Sequence, residues 1–514
     1  MDSKANPYVL AAPCLALCAF LFFLGTGLTP FWPCTWLAAI PVLWLAPRVS
    51  GRHAFFVAAA AYTLGGLNEW SYSRQILPAW LVVAILLAGA CFFGIGVWLF
   101  RARFLRGKLW QAALIFPAFW VTIGYLTSEI SIHGTFGNIG YSQMNFLPIV
   151  QIASVTGIWG IGFCMFLFAA TMAAVLSDAP GSGKARAAIG TGVLLGCVFV
   201  YGIARLATTP ADSPTVKVAL MASSAKGNFF AGSPQQLQDI LERYRDRMKP
   251  LSSQGVQLVV LPEHNGPITD ASQAATDALL GGMAKDTGAY IAIGIERIMP
   301  KLSRNQERFY SPDGRLAATY NKHHMLPPFE SQFTPGTTRT VLSEPSGKWG
   351  IEICKDMDFP RLSRAYSRDG IGMLIVSASD FVADGWLHGR MAVLRGVEGG
   401  FSIARSANLG IVTATDDRGR VLAEQDTILG PPFVTVVANL PVRHDATIYA
   451  RFGDWFAWLC MVLLVSVMAY SWRSADMGAT EAARRAGRNA ASSPVSVTIN
   501  AAKPSTRTSN EETP

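Results

Sequence analysis

The chain has 514 residues, of which 51% are hydrophobic and only 15% are charged, against about 25% charged residues in an ordinary soluble domain. With a mean hydropathy of +0.30, this composition excludes a disordered protein, a coiled coil and a wholly soluble enzyme. The formal net charge of +9 does not indicate nucleic-acid binding, because much of the positive charge lies in short segments beside apolar runs, where it sets membrane topology. The eight cysteines are too few for a disulfide scaffold.

Apolar runs along the chain predict membrane-spanning helices, because a helix needs about 20 mostly apolar residues to cross the hydrocarbon. The run at 78–100 is the clearest, since it contains no charged residue and is followed at once by a basic segment. The apolar runs lie at 8–28, 31–47, 54–69, 78–100, 109–127, 148–176, 188–206 and 454–472. We therefore predict a membrane domain of seven helices at 8–206 and an eighth membrane helix at 454–472.

The distribution of basic residues predicts the orientation of these helices. If the N-terminus is cytoplasmic, the short inner loops contain nine Lys and Arg residues and the short outer segments contain only Arg74. An excess of positive charge in cytoplasmic loops is the general rule for membrane proteins. Because several arginines also follow the last run, we expect both termini to be cytoplasmic and residues 207–453 to be exported.

The exported region has a different pattern, in which short β-rich apolar runs alternate with amphipathic stretches. The predicted strands lie at 216–221, 258–261, 290–295, 350–353, 373–377 and 411–414, and the predicted helices at 234–248 and 271–286. Turn residues at 313–314 and 417–419 predict two hairpins. This alternation predicts an α/β domain in which helices cover strands. The segment at 473–514 has few large apolar residues, and we predict a disordered cytoplasmic tail there.

Three reactive side chains follow strand-like runs in this region. Cys354 has no partner cysteine in the exported region, so it either has a use in an oxidising compartment or is an inert buried thiol. Glu263 follows the run at 258–262, and Lys322 follows the run at 317–321. Alone, such a Glu or Lys is more often a solvated loop residue. Together the three can perform acyl transfer, with a carboxylate as base, a thiolate as nucleophile and an ammonium that stabilises the oxyanion.

The segments around these residues resemble the Glu-Lys-Cys motifs of the nitrilase superfamily. They read Leu-Val-Val-Leu-Pro-Glu263, Tyr-Asn-Lys322-His-His-Met-Leu-Pro-Pro-Phe-Glu330 and Gly-Ile-Glu-Ile-Cys354, and Arg395-Gly-Val-Glu398 matches a later segment. The resemblance implies an αββα sandwich with Glu263, Lys322 and Cys354 as the catalytic residues. It also implies that Glu330 either orients Lys322 or assists the proton transfers.

Motifs in the membrane domain indicate which family within the superfamily the chain resembles. Gly140-Tyr141-Ser142-Gln143 and the run from Ile149 to Gly160 resemble a signature of the bacterial apolipoprotein N-acyltransferase family, which also has a periplasmic nitrilase-like domain before its last span. The resemblance implies transfer of an acyl chain from a phospholipid, through a thioester on Cys354, to the N-terminal amine of a diacylglyceryl-cysteine lipoprotein at the inner membrane. We expect no cofactor, no nucleic-acid partner and a monomer.

Two residues depart from the usual pattern of that family. Its cysteine is followed by an aromatic residue and a Glu, whereas Lys355 and Asp356 follow Cys354 here. Asp356 supplies a supporting carboxylate with a shorter reach, and Lys355 places a charge where a ring is expected. The alternatives left open are an acyltransferase with another amine acceptor, a membrane-bound amidase or nitrilase that uses water, and an inactive scaffold or lipid-binding protein.

A metal site has little support in the sequence. His323-His324 is the one histidine pair, but adjacent side chains rarely bind one ion, and no third ligand is spaced with them. We therefore expect no metal.

Overall fold

The computed structural model of the protein describes residues 7–178, 181–208, 213–223 and 231–469. The tail predicted at 473–514 lies outside these described residues, as does the end of the apolar run at 454–472. Within the described ranges, the chain is helical before residue 208 and mixed α/β between residues 215 and 441.

The helices of the first half lie within or overlap the predicted apolar runs, except α5, which lies between the runs at 54–69 and 78–100. In chain order they are α1 (Ala11–Gly25), α2 (Pro33–Ala38), α3 (Ile40–Leu45), α4 (Gly51–Gly65), α5 (Trp70–Ile76), α6 (Ala79–Phe104), α7 (Leu109–Ile130), α8 (Leu147–Val150), α9 (Ala153–Thr156), α10 (Ile158–Val175) and α11 (Gly181–Ala207). A further apolar helix covers Trp455–Ala469. In the described part of the chain, four helices are long and apolar enough to cross a membrane, namely α6, α7, α10 and most of α11. The total of eight spans stays a prediction.

Two of the predicted runs are divided into shorter helices. The run at 31–47 contains α2 and α3, which are separated at Ala39, because Pro41 has no N–H to continue the helical hydrogen bonds. The run at 148–176 contains α8, α9 and α10, and Gly157 before α10 has a φ of +67°, which interrupts a helix. In these two places the structure differs from the single helix that an apolar run predicts.

The long helices α6 and α11 expose many of their apolar side chains. Trp80, Ile85 and Leu87 of α6 are exposed, as are Ile189 and Val193 of α11. Contiguous apolar surfaces are uncommon on soluble proteins and are typical of surfaces that bind membranes. The exposure is therefore consistent with helices that face lipid.

Two β-sheets form the second half of the chain. Their strands are β1 (Thr215–Ser223), β2 (Leu258–Val260), β3 (Pro267–Ile268), β4 (Tyr290–Arg297), β5 (Arg304–Tyr310), β6 (Leu316–Asn321), β7 (Val341–Glu344), β8 (Gly347–Ile353), β9 (Met373–Ser379), β10 (Ser402–Asn408), β11 (Ile411–Thr415), β12 (Val421–Asp426) and β13 (Phe433–Pro441). One sheet has the order β13-β1-β2-β4-β5-β6 with β3 beside β4, and the other has the order β12-β11-β10-β9-β8-β7. The six predicted strands are confirmed, and the two predicted turns join the antiparallel pairs β5–β6 and β11–β12.

Helices cover the outer face of each sheet. They are α12 (Pro234–Ser252), α13 (Asp270–Thr287), α14 (Pro360–Arg368) and α15 (Gly385–Gly399), followed by the short α16 (Ile448–Phe452). Apolar residues of α12 and α13 pack on the first sheet, and those of α14 and α15 pack on the second. A third core, which includes Leu220 of β1 and Ile351 of β8, lies between the sheets. The predicted αββα sandwich is therefore confirmed.

The motifs quoted from the two halves of the sequence contact each other. Arg395 Nη2 donates a hydrogen bond of 2.9 Å to the Tyr141 hydroxyl. The backbone N–H of Ile158, at the start of α10, donates to Glu398 Oε1 at 2.8 Å. A carboxylate is favoured at this position, because the first N–H groups of a helix have no partner within the helix. These motif residues thus hold the α/β domain against the helical domain.

Candidate active site

The three catalytic candidates lie at strand ends, as the sequence predicts. Glu263 lies shortly after β2, Lys322 directly after β6 and Cys354 directly after β8. The first two strands belong to one sheet and β8 belongs to the other. Glu263 and Lys322 are buried and Cys354 is half-buried, so the site is largely screened from water.

The Lys322 ammonium lies between two carboxylates. Its Nζ is 2.8 Å from Glu263 Oε1, and 2.9 and 2.8 Å from the two oxygens of Glu330. Asn305 Nδ2 donates to Oε1 of both Glu263 and Glu330, at 2.6 Å in each case. The structure therefore brings Glu263, Lys322 and Glu330 into one hydrogen-bonded cluster.

The backbone of Ser379, at the end of β9, links Cys354 to this cluster. The Ser379 N–H donates to Glu263 Oε2 at 3.0 Å, and the Ser379 carbonyl accepts the Cys354 thiol with an S···O distance of 3.7 Å. Cys354 has a φ of +45° and begins a short 3₁₀ turn at Cys354–Asp358. A strained turn after a strand is one way in which enzymes expose a nucleophile.

The surroundings of Cys354 favour the neutral thiol. Burial raises the pKa of the Cys354 thiol well above its usual value, and the Glu263 carboxylate raises it further against the opposing effect of Lys322. The thiolate is the form that attacks a carbonyl, so a base must remove the proton during the reaction. Glu263, which shares the Ser379 backbone with Cys354, is the candidate base.

Lys322 and Glu330 both remain charged at neutral pH. Burial alone would lower the pKa of Lys322, but Glu263 and Glu330 raise it well above its usual value. Burial alone would raise the pKa of Glu330, but Lys322 and His264 hold it well below its usual range. The backbone N–H of Leu326 also donates to Glu330 Oε2 at 2.7 Å. Of the two roles left open by the sequence, these contacts favour orientation of Lys322.

Two members of the cluster were missed in the sequence. Asn305 lies in the polar strand β5, where no motif distinguishes it. His264 Nδ1 lies 2.9 Å from Glu296 Oε1, and its Nε2 lies 3.1 Å from Glu330 Oε1. Burial alone would lower the pKa of His264, but Glu263 and the hydrogen bonds to Glu296 and Glu330 raise it to about 10. His264 is therefore an imidazolium that donates to both carboxylates, and only its position beside Glu263 could have suggested it.

This shift predicts a pH-dependent stability. The pKa of His264 rises from 6.5 to about 10 on folding, so its protonation stabilises the fold fully below pH 6.5, and this stabilisation is lost as the pH rises through 10. We expect the free energy of unfolding of wild type to exceed that of His264→Gln by more at pH 6.5 than at pH 10. Denaturant titrations of both proteins in detergent measure this difference. An equal difference at both pH values would contradict the imidazolium assignment.

Asp356 supports the site through hydrogen bonds to the segments that contain Lys322 and Cys354. Its Oδ2 accepts the Tyr320 hydroxyl at 2.7 Å, and its Oδ1 accepts the backbone N–H groups of His323 and His324 at 3.1 and 2.9 Å. The backbone N–H of Ile353, just before the nucleophile, donates to Oδ2 at 3.2 Å. Asp356 therefore joins the end of β6, which carries Lys322, to the end of β8, which carries Cys354.

Lys355 contacts the helical domain. Its Nζ is 2.9 Å from His133 Nδ1, in the loop after α7, and 3.2 Å from Asp358 Oδ2. The same loop donates the backbone N–H of Thr135 to the Asp358 carbonyl at 2.9 Å. The Lys355 ammonium, which departs from the family pattern, is thus paired with Asp358 where the two domains meet.

The carboxylates that could bind a metal ion at this site already bind the Lys322 ammonium. Glu263, His264 and Glu330 offer ligand atoms within 4.8 Å of one another. The Lys322 ammonium already lies between the two carboxylates, and a protonated imidazole has no lone pair for a metal. The residues fit an ammonium-centred site better than a metal site.

Comparisons with known proteins cover both halves of the chain. The sequence profile described as Apolipoprotein N-acyltransferase N-terminal domain matches residues 15–171, and the Carbon-nitrogen hydrolase profile matches residues 206–451. An apolipoprotein N-acyltransferase of Geobacter metallireducens is 26% identical over 88% of this chain and 93% of its own length.

A second relative gives the same result. The apolipoprotein N-acyltransferase of Pseudomonas syringae pv. tomato is 25% identical over 84% of this chain and 91% of its own length. Among solved structures, an amidase from Nesterenkonia sp. is 22% identical with a TM-score of 0.40, and the match covers 48% of this chain and 96% of the amidase. Because the two profiles and the relatives span both the helical domain and the α/β domain, the chain belongs to the apolipoprotein N-acyltransferase family.

Proposed function

We propose that the protein is an N-acyltransferase that moves an acyl chain from a phospholipid to the N-terminal amine of a diacylglyceryl-cysteine lipoprotein. The observation that carries the proposal is the Cys354 thiol, which is linked through Ser379 to Glu263 and Lys322. The domain that contains it is hydrogen-bonded through Glu398 to the start of the apolar helix α10. Both substrates carry fatty acyl chains that hold them in a membrane, so an enzyme that acts on them has reason to lie there.

In the first half-reaction, Glu263 takes the proton from the Cys354 thiol as the sulfur attacks the ester carbonyl of the phospholipid. Negative charge develops on the carbonyl oxygen, and the Lys322 ammonium stabilises it. The ester C–O bond then breaks, the leaving oxygen takes the proton from Glu263, and a lysophospholipid departs. The acyl chain remains on Cys354 as a thioester.

In the second half-reaction, the amine of the lipoprotein attacks the thioester carbonyl. Glu263 takes a proton from the amine, the C–S bond breaks, and the proton passes to the sulfur, which restores the thiol. The new bond is an amide. Glu330 and Asn305 keep Lys322 and Glu263 in place through both steps, and Asp356 keeps the two strand ends in register.

We also propose that the protein lies in the bacterial inner membrane, with the α/β domain on the periplasmic side and both termini in the cytoplasm. The segments that the charge distribution assigns to the outer side, 70–77 and 128–147, provide contacts to the α/β domain through Tyr72, His133 and Tyr141. A contact of this kind requires that the segments and the domain share one side of the membrane.

Reporter fusions test this orientation. We expect a reporter that is active only outside the cytoplasm to be on when fused near Ala211 and off when fused after Arg101, because the latter lies beside a basic inner loop. The opposite pattern would contradict the proposed topology, and it would also mean that the α/β domain cannot reach periplasmic lipoproteins.

Mass spectrometry of lipoprotein N-termini tests the function in cells. Depletion of the protein should produce lipoproteins that keep the diacylglyceryl group and have a free N-terminal amine, and re-expression of the wild type should restore the N-acyl chain. Lipoproteins that remain N-acylated after depletion, in a cell with no second such enzyme, would contradict the proposal.

A further inference from the structure

A side chain from the helical domain reaches the segment that follows β9. The hydroxyl of Tyr72, on α5, donates a hydrogen bond to Asp384 Oδ2. Tyr72 is only 5% exposed, and Asp384 is completely buried. A hydrogen bond to a buried carboxylate is among the stronger ones in proteins, because the carboxylate is charged and screened from water.

The other oxygen of Asp384 closes a turn. Asp384 Oδ1 accepts the backbone N–H of Phe381 at 3.0 Å, and the Asp384 N–H donates to the Phe381 carbonyl at 3.1 Å. The ring of Tyr72 also lies edge-on to Phe381, with 6.4 Å between the ring centres. The position of the 381–384 turn therefore depends on Asp384 and on the tyrosine that holds it.

This turn begins directly beside the reacting groups. Ser379, two residues before Phe381, provides the N–H bound to Glu263 and the carbonyl bound to the Cys354 thiol. Between them, Asp380 Oδ1 accepts Arg405 Nη2 at 2.6 Å. A shift of the turn toward or away from the helical domain would thus move the Ser379 backbone, which contacts both Glu263 and Cys354.

Other groups face Asp384 but do not replace the tyrosine. His388 Nδ1 lies 3.2 Å from Asp384 Oδ2 and 3.9 Å from Asp380 Oδ1. His388 belongs to α15, which follows the turn within the α/β domain itself. Among the described side chains that hydrogen-bond to Asp384, Tyr72 is therefore the one that belongs to the helical domain.

We propose that Tyr72 is a positioning residue for the Glu263–Cys354 pair, acting through Asp384 and Ser379; the role in acyl transfer rests on the proposed function. The helical domain then does more than hold the protein in the membrane, because it supplies a hydrogen bond that fixes the geometry of the reacting groups. A misplacement of about 1 Å can reduce a rate by about 10²-fold.

The test uses Tyr72→Phe, which removes only the hydroxyl, in the full-length protein in detergent micelles, to which phospholipid is added only for the second measurement. The first measurement is the rate at which iodoacetamide alkylates Cys354, followed by peptide mass spectrometry, which requires no acyl transfer. The second is single-turnover acylation of Cys354 as a function of phospholipid concentration. We expect both rates to fall by about 10–10², with the half-saturating phospholipid concentration unchanged.

Two further variants separate positioning from general loosening. Tyr201→Phe removes a hydroxyl that lies 2.7 Å from Ser154 Oγ, within the helical domain, and should leave both rates at the wild-type level. Asp384→Asn should reduce both rates, and adding Tyr72→Phe to it should cause little further loss, since residues in one hydrogen-bond network are not additive.

Wild-type rates in Tyr72→Phe would overturn the inference. So would an equal loss in Tyr201→Phe, a full additional loss in the double variant, or a lower acylation rate caused only by weaker phospholipid binding. If wild type is alkylated but never acylated by phospholipid, the proposed function fails, and the alkylation rates alone then decide whether Tyr72 positions Cys354.

Discussion

Cys354→Ala and Cys354→Ser should abolish acyl transfer while the protein remains folded and in the membrane. Alanine has no nucleophile, and a serine hydroxyl holds its proton far more tightly than a thiol, so Glu263 cannot activate it to the same degree. Neither change alters the ion pairs of Lys322, which involve Glu263 and Glu330. Intact-protein mass spectrometry after incubation with phospholipid should show one added acyl chain on wild type and none on either variant.

The chain contains matched control cysteines for this experiment. Cys91 and Cys197 are free, exposed and located in the apolar helices α6 and α11. Cys91→Ser and Cys197→Ser should therefore take up an acyl chain at the wild-type rate. Full transfer by Cys354→Ala, or an acyl chain located on another residue, would disprove the assignment of the nucleophile.

Lys322→Met should reduce the rate of Cys354 acylation by about 10²–10³-fold, the usual cost of removing one oxyanion-stabilising donor. The loss also leaves Glu263 and Glu330 as neighbouring carboxylates that repel each other, without the ammonium between them. Lys322→Arg should recover little activity, because a planar guanidinium cannot replace a compact ammonium held at 2.8–2.9 Å by three oxygen contacts.

Glu263→Gln should fail at the same stage, because an amide cannot accept the thiol proton.

Single-turnover labelling of Cys354 by phospholipid measures this step before any amine is needed. Lys249→Met provides the matched control, because Lys249 is an exposed lysine whose ion pair with Asp246 lies on the surface of α12. It should leave the labelling rate unchanged. Normal labelling in Lys322→Met or Glu263→Gln would show that the residue acts later or not at all.

The apolar strand-like runs predicted an α/β domain, and the resemblance to the nitrilase superfamily implied that it is an αββα sandwich. The run that became β2 and the run that became β9 are apolar and buried throughout or nearly so. β5 and β10 were missed for the opposite reason: β5 contains Asn305 and Glu307, and β10 contains Arg405, all buried polar groups. Polar residues of this kind are typical of surfaces and loops, so the sequence does not predict that they are buried. Their hydrogen-bonding partners become visible only in the folded structure.

The sequence pointed to the reacting groups of the candidate site and to two supporting carboxylates, Glu330 and Asp356, but not to its other supports. Glu263, Lys322 and Cys354 were visible because each follows a strand-like run within a recognisable motif. Tyr72 and Ser379 carry no local signal, since their roles depend on contacts between residues far apart in the chain. The charge at Lys355 left open an acyltransferase with another amine acceptor, and the structure pairs this ammonium with Asp358 at the domain junction.

The most direct test of the proposed reaction is a chase of the acylated enzyme. Wild type is loaded with a labelled acyl chain from phospholipid, separated from excess lipid, and mixed with a synthetic diacylglyceryl-cysteine peptide that has a free N-terminus. The label should leave Cys354 and appear as an amide on the peptide in equal amount, whereas the same peptide with an acetylated N-terminus should receive none. Label that stays on Cys354, or that leaves only as free fatty acid, would contradict N-acyl transfer through a Cys354 thioester.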